Sequence, residues 1–342
     1  MKQVKFKFPS ATFNCYFDAD FSFLETLVPR ENVILVTDEN VATKYAERFM
    51  PYRTIVLKAG EEYKQQATVD HLINELIKHK ADRQTFLIGV GGGVITDITG
   101  YAASVYMRGI RFAFAPTTVL AMVDACVGGK NGVDVGVYKN LVGVVKHPEF
   151  LLYDYSFLKT LPQEEWINGF AEIIKHACIK DRAMFKFLEK NTLDTFQNYP
   201  DEAAKLIRQN VEIKYGIVSR DEKETGDRKL LNFGHTLGHA IENMYLLPHG
   251  NAVSIGMVAA CTLSEALKGF SSKEKKRVTA VLERYHLPVN FSFDKEKVWE
   301  VLLMDKKKTG DTMNFILLDK IGEGVIKPIP IAKLKEIFNH SL

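Results

Sequence analysis

The feature that most constrains this chain is an alternation of short β-branched runs and amphipathic stretches between residues 32 and 116. Residues 32–37 (NVILVT) form one run and end at Asp38. Residues 40–50 follow with helical spacing. Residues 54–57 are a second run, stopped by Gly60. Residues 66–80 then place Val69, Leu72, Ile73, Leu76 and Ile77 on one helical stripe. Residues 85–90 lead into Gly91-Gly92-Gly93, residues 94–107 read as a helix, and residues 112–115 as a strand closed by Pro116. Such alternation folds as a parallel sheet with right-handed crossovers.

After Leu161-Pro162 the pattern changes. From residue 164 to 283 apolar residues keep helical spacing, punctuated by Pro162, Pro200, Pro248 and Pro288. A strand-like piece returns at 314–318. The expectation is an α/β, Rossmann-like N-terminal domain over 1–160 and a mainly α-helical domain over 161–342. A length of 342 residues suits about two domains. The run KEKKR at 273–277 reads as a solvated helix face.

Lys plus Arg is 45 against 42 for Asp plus Glu, a net charge of +3. That balance supplies no general field for nucleic acid or an anionic membrane. Cys15, Cys126, Cys178 and Cys261 form no CxxC pair, so reduced, buried thiols are expected. The N-terminus lacks the apolar run of a signal peptide. The most apolar stretch, 86–106, carries Asp97 and several glycines, which argues against a membrane span. Cytoplasm is the expected compartment.

The turn Gly91–Gly93 follows a strand and precedes a helix, where backbone amides and the helix dipole suit a pyrophosphate. It lacks the full GxGxxG pattern, so a tight connection is the plain alternative. Asp38, at the carboxyl end of an early strand, stands where a ribose hydroxyl would be accepted. Asp97 reads either as a ligand contact or as a helix N-terminal charge. Thr117-Thr118 adds hydroxyls at another strand end.

His235 and His239 lie four apart on one helix face, His249 follows in a Leu-Pro-His-Gly turn, and Glu172 sits on the helix expected at 166–179. Imidazoles plus a carboxylate suit a zinc-like metal. From spacing alone, His235 and His239 are the first choice as a ligand pair. Lys130, Asn131, Lys139 and Asn140 bracket a glycine-rich loop, Lys175 shares a helix face with Glu172, and Lys214, Arg228 and Arg108 stand beside other motifs. Together they suggest a pocket for phosphate or carboxylate.

These segments, taken in order, resemble the 3-dehydroquinate synthase family of sugar-phosphate cyclases. The matching pieces are GGGVITD (91–97), YMRG (106–109), PTT (116–118), MVD (122–124), GGK (128–130), KNL (139–141), GFAEIIK (169–175), NFGHTLGH (232–239) and HGNAV (249–253). The resemblance runs from about residue 30 to residue 325. It implies an active site in the cleft between two domains and a homodimer. It implies Glu172, His235 and His249 as ligands of zinc or cobalt, with His239 contacting substrate instead. It further implies NAD contacts at Gly60, Glu61 and Lys64 (within 60–64), Gly91, Gly92, Gly93, Asp97, Thr117, Thr118, Lys130, Lys139, and Phe157 and Thr160 (within 157–160). Asp124, Lys130, Asn140, Lys175, Lys214, Arg228 and Asn232 match substrate-binding positions, and Arg108 an arginine reaching phosphate across the dimer interface. One of the lysines at 306–308 is a further candidate. Asn251 and Asn131 depart from the common Glu and Thr.

The implied reaction converts 3-deoxy-D-arabino-heptulosonate 7-phosphate to 3-dehydroquinate and phosphate, in the shikimate pathway to aromatic amino acids. Transient oxidation by NAD, with the metal lowering the hydroxyl's pKa, acidifies the adjacent carbon. Phosphate then leaves, collecting the proton itself. Re-reduction, ring opening and an intramolecular aldol step follow. The basic residues would neutralise the two anionic groups of the substrate. The competing readings are another sugar-phosphate cyclase, a metal-dependent polyol or alcohol dehydrogenase, and a non-catalytic NAD-binding scaffold. A lysine and arginine cluster is superfluous for a polyol.

Overall fold

A computed structural model of the chain describes residues 1–136, 138–303 and 308–341. The lysines at 306 and 307 lie outside them, as does the side chain of Lys308. Along the chain come β1 (Lys2–Lys7), β2 (Thr12–Phe17), α1 (Leu24–Leu27), β3 (Val33–Asp38), α2 (Glu39–Phe49), β4 (Arg53–Leu57), α3 (Gln66–Lys78), β5 (Phe86–Gly91), α4 (Gly93–Val105) and β6 (Arg111–Pro116). Next are β7 (Lys130–Val135), β8 (Tyr138–Val145), β9 (Phe150–Leu152), α5 (Gln163–Lys180), α6 (Arg182–Leu188), α7 (Leu193–Asn198) and α8 (Pro200–Val218). The last are α9 (His235–Tyr245), α10 (His249–Lys268), α11 (Ser272–Arg284), α12 (Lys295–Leu303), β10 (Lys308–Thr309), β11 (Thr312–Lys320), β12 (Glu323–Pro330) and α13 (Ile331–Ser341). Two compact units result: Met1–Glu165 with Pro200–Glu222, and Trp166–Tyr199 with Lys223–Leu342.

The first unit is built on a sheet in the order β1-β2-β9-β6-β5-β3-β4, parallel except for the β1–β2 hairpin. Every residue of β3 and of β5 is buried, as strands covered on both faces require. Val33, Leu35, Phe86, Ile88 and Val90 pack with Phe21, Phe49 and Phe157 into one core. The strand order reverses between β3 and β5, and Thr37 pairs with Val90 at their carboxyl ends. Such a switch point is where open α/β sheets bind ligands. It brings Asp38 and Gly91–Gly93 to one edge.

Two features of this unit differ from the sequence expectation. Residues 128–140 read as a glycine-rich loop, yet β7 and β8 form an antiparallel hairpin in which Gly132 faces Gly143. The helix α8, expected in the second domain, belongs to the first unit. Its Tyr215 ring stacks on Phe6 at 4.1 Å, and the Tyr215 hydroxyl accepts from the Lys7 amide and donates to the Lys7 carbonyl. Helical periodicity gives a helix its apolar face without naming the body that the face will cover.

The second unit is helical apart from a small antiparallel sheet, β10-β11-β12, which contains the piece expected at 314–318. Its core joins Leu237, Ile241 and Leu263 to Trp299, Phe315 and Phe338. The α9 and α10 backbones approach closely: a Cβ on Gly256 would lie 1.8 Å from the Gly234 carbonyl oxygen. By length and composition α10 is apolar enough to cross a membrane, but most of it is buried inside this unit. In the 273–277 run, Arg277 grips Glu189 with two bonds of 2.7 Å, so that face is tied down at one point.

Candidate active site and metal centre

In the second unit, α5 supplies Glu172, fully buried, and α9 supplies His235 and His239 from one face. Pro248 caps α10, so His249 opens that helix. Glu172 Oε1 lies 3.3 Å from His235 Nε2 and 3.1 Å from His249 Nε2. The three donor atoms fall within 4.8 Å of one another, a spacing that fits one divalent ion. The outer nitrogens are also engaged. His235 Nδ1 lies 3.1 Å from the Phe233 carbonyl, and His249 Nδ1 lies 3.3 Å from Glu242 Oε2. Such partners fix each ring with Nε2 turned inward, as metal-binding imidazoles require. His239 stands beside them, its ring 5.1 Å from that of His235. With Glu242 and His249 it makes a second possible ligand group.

The electrostatics follow from this crowding. Burial works to raise the pKa of Glu172, but Lys175 and the two imidazoles outweigh it and hold the carboxylate well below its usual range. Lys175, itself buried, bonds directly to Glu172 Oε2. Burial and Lys175 push His235 down, toward the neutral form. Burial alone would lower His249 as well, yet Glu172 and Glu242 raise it to about 10. Of the two imidazoles facing Glu172, His249 is therefore the one that favours the proton.

Glu242 and Asn168 are missing from the sequence reading. Glu242 falls seven residues after His235, on the same helical face. Asn168 precedes Glu172 by one turn, and its Oδ1 accepts from the Gly250 amide at 2.6 Å, pinning the start of α10 to α5. Asn232 donates to Glu224 Oε1 at 2.5 Å, and Glu224 also escaped notice. Arg228 is buried in the short helical turn that precedes Phe233. Asn251 lies in the first turn of α10.

The first unit gathers a second group. Gly91–Gly93 form the β5–α4 turn, and a Cβ on Gly91 would come within 2.6 Å of Ile95, so the tight turn requires glycine. Thr117 donates its amide to the Gly91 carbonyl at 2.9 Å, and Thr118 Oγ1 accepts from the Ala121 amide. Lys64 Nζ reaches Asp97 Oδ2 at 2.5 Å and Asn140 Oδ1 at 2.7 Å. Lys139 Nζ reaches Glu61 Oε1 at 2.9 Å. Burial disfavours the Lys64 ammonium, but Asp97, Glu61 and Asp134 together raise its pKa and keep it charged. Asp97 is thus an ion-pair partner, not merely a helix-terminal charge. Beyond this network, Lys214 Nζ contacts Asp124 Oδ1 at 2.8 Å and its carbonyl at 2.6 Å.

Other expected residues have plainer settings. Asp38 Oδ1 caps α2, accepting from the Asn40 and Val41 amides. Phe157 is a core residue with the Arg48 guanidinium 4.9 Å above its ring, and Thr160 Oγ1 bonds to the Tyr45 hydroxyl. Gly60 has φ +125° and opens the short turn leading to Lys64. Lys130 is exposed at the start of β7. Asn131 is buried and donates to the Gly129 and Lys146 carbonyls, which gives that departure a structural use. Arg108 is exposed, with Met107 and Gly109 also at positive φ.

The sequence matches the family descriptions "3-dehydroquinate synthase N-terminal" over residues 54–168 and "3-dehydroquinate synthase C-terminal" over residues 169–308. It is 41% identical over 314 residues to the 3-dehydroquinate synthase of Campylobacter concisus, covering 89% of this chain and 90% of that protein. Among solved structures, 2-deoxy-scyllo-inosose synthase complexed with carbaglucose-6-phosphate, NAD+ and Co2+ superposes with a TM-score of 0.87 at 25% identity, over all of both chains. The 2-epi-5-epi-valiolone synthase of Streptomyces hygroscopicus subsp. jinggangensis, with NAD+ and Zn2+ bound, gives 0.87 at 26% identity over 95% of each chain. At that identity and coverage, this chain belongs to the 3-dehydroquinate synthase family.

Proposed function

We propose that this protein is a 3-dehydroquinate synthase dependent on NAD and a divalent metal, a lyase that eliminates phosphate from 3-deoxy-D-arabino-heptulosonate 7-phosphate and closes the carbocycle. The observation that carries the reading is the Glu172–His235–His249 group, with Glu172 and His235 buried and His249 half-buried, its rings oriented by Phe233 and Glu242 and its carboxylate paired with Lys175. When bound, NAD supplies reversible hydride acceptance and the metal polarises the reacting hydroxyl.

The chain's own groups do the rest. Glu172, His235 and His249 would hold zinc or cobalt. The Gly91–Gly93 amides at the start of α4 would receive the pyrophosphate. Asp97, Thr117, Thr118, Lys64, Lys139 and the 157–160 backbone would line the dinucleotide site, with Asp38 Oδ2 facing a ribose. Lys130, Lys175, Lys214, Arg228, Asn140, Asn232 and His239 would hold substrate carboxylate and phosphate, and Asp124 would orient Lys214 or accept from a hydroxyl. Fixing both anionic ends leaves the reacting carbon little freedom, which lowers the entropic part of the barrier.

The reading includes a homodimer, to which Arg108 contributes, and the exposed Tyr138, Leu141, Val142 and Val145 of β8 offer an apolar strip for it. It includes cytoplasmic residence in the shikimate pathway, which the free, buried cysteines fit.

The test is phosphate release from the heptulosonate phosphate with catalytic NAD+ and Zn2+ or Co2+, followed by product identification. We expect stoichiometric phosphate, 3-dehydroquinate and no net NADH. Turnover only on another sugar phosphate would replace the substrate, and net NADH from a polyol would replace the reaction.

A further inference from the structure

The β7–β8 ladder is broken at one place. Val133 pairs with Val142 and Val135 with Tyr138, so the single residue Asp134 faces Lys139, Asn140 and Leu141. Irregularities of this kind re-aim side chains and are common beside active sites. Here Asn140, one of the three residues facing Asp134, takes a left-handed conformation, φ +51°. Asparagine tolerates that region better than most residues, but it still needs holding.

Asp134 does the holding. Its Oδ1 accepts from the Asn140 amide at 2.6 Å, and its Oδ2 lies 3.5 Å from Lys139 Nζ. Its own amide donates to the Lys64 carbonyl at 2.8 Å. The Asn140 side chain, placed in this way, receives Lys64 Nζ. Through its carboxylate Asp134 thereby sets the bulge and the lysine on it, and through its amide it ties down the turn that ends at Lys64.

We propose that Asp134 is a positioning residue for the cofactor and substrate half-site: it fixes Lys139 toward the dinucleotide and Asn140 toward the substrate, without touching either ligand. This rests on the function proposed above for Lys139 and Asn140. The two bonds are separable. An amide at position 134 keeps an acceptor for the Asn140 N–H but loses the charge beside Lys139. Alanine loses both.

The experiment compares wild type, Asp134→Asn and Asp134→Ala as full-length, metal-loaded proteins. The readouts are NAD affinity by fluorescence titration, KM for the heptulosonate phosphate, kcat and Tm. For Asp134→Asn we expect NAD affinity to weaken about threefold, the scale of a partly exposed ion pair, with substrate KM unchanged. For Asp134→Ala we expect substrate KM to rise about tenfold as well, the scale of a lost charged hydrogen bond. Wild-type constants in both folded variants would overturn the proposal. So would equal losses in both with a matching fall in Tm, because a merely structural carboxylate does not split the two ligands. If wild type fails to turn over the heptulosonate phosphate, the functional reading fails. The NAD titration then decides the Lys139 arm separately.

Discussion

At the scale of single residues, the metal group is governed by who holds the proton. Glu172 is already anionic and His235 already neutral, so neither must change state to bind a cation. His249 differs, with its pKa raised to about 10 by two carboxylates. A pKa raised in the folded state stabilises the metal-free fold fully below the ordinary value of about 6.5 and ceases to do so as pH climbs through about 10. A metal ligand must be the free base, so loading at about pH 8 must expel that proton. Calorimetry in buffers of different ionisation enthalpy should find close to one proton released per Zn2+ bound. Glu242→Gln should reduce that release, because one of the two carboxylates favouring the imidazolium is gone. It should also weaken metal binding by about tenfold or more. A release near zero in wild type would place the proton elsewhere.

At the scale of elements, the centre depends on how closely α9 and α10 pack. His235 and His249 each open one of these helices, so the separation of their first turns sets the spacing of the two imidazoles. Gly256 permits that separation, since any Cβ there would run into the Gly234 carbonyl. Gly256→Ala should therefore destabilise by about 1–3 kcal/mol, the usual cost of forcing an extra group into a packed interior. It should also lower bound metal per chain, measured by atomic absorption on folded protein. An unchanged Tm would mean that the helices can part without penalty. The β5–α4 turn obeys the same logic, with Gly91 packed against Ile95.

At the scale of the whole molecule, the candidate metal group joins three helices of the second unit, one through Glu172, one through His235 and one through His249. A ligand that binds the folded state alone stabilises it by mass action, about 2.7 kcal/mol at a hundredfold excess over Kd. Chelation should lower Tm, and Zn2+ or Co2+ should restore it while Mg2+ does not, since imidazole suits the former pair. Calorimetry with and without chelator checks this, and an indifferent Tm would show the group to be empty in solution.

Local sequence determined the elements. β-branched runs and helical stripes predicted β3 through β6 and the helices between them, because their periodicities follow from backbone geometry. The motif residues Glu172, His235 and His249 were legible through the family resemblance, whereas spacing alone favoured His235 with His239. Neighbours four apart on a helix are visible in one dimension, but a third ligand from another helix is not. Only the tertiary structure chose Glu242 and Asn168 as supporting partners, put α8 with the first unit and turned the 128–140 segment into a hairpin with Asp134 at its break. Each of these depends on contacts between residues far apart in the chain. Their energy is paid back only after folding has brought them together, so no local pattern records them.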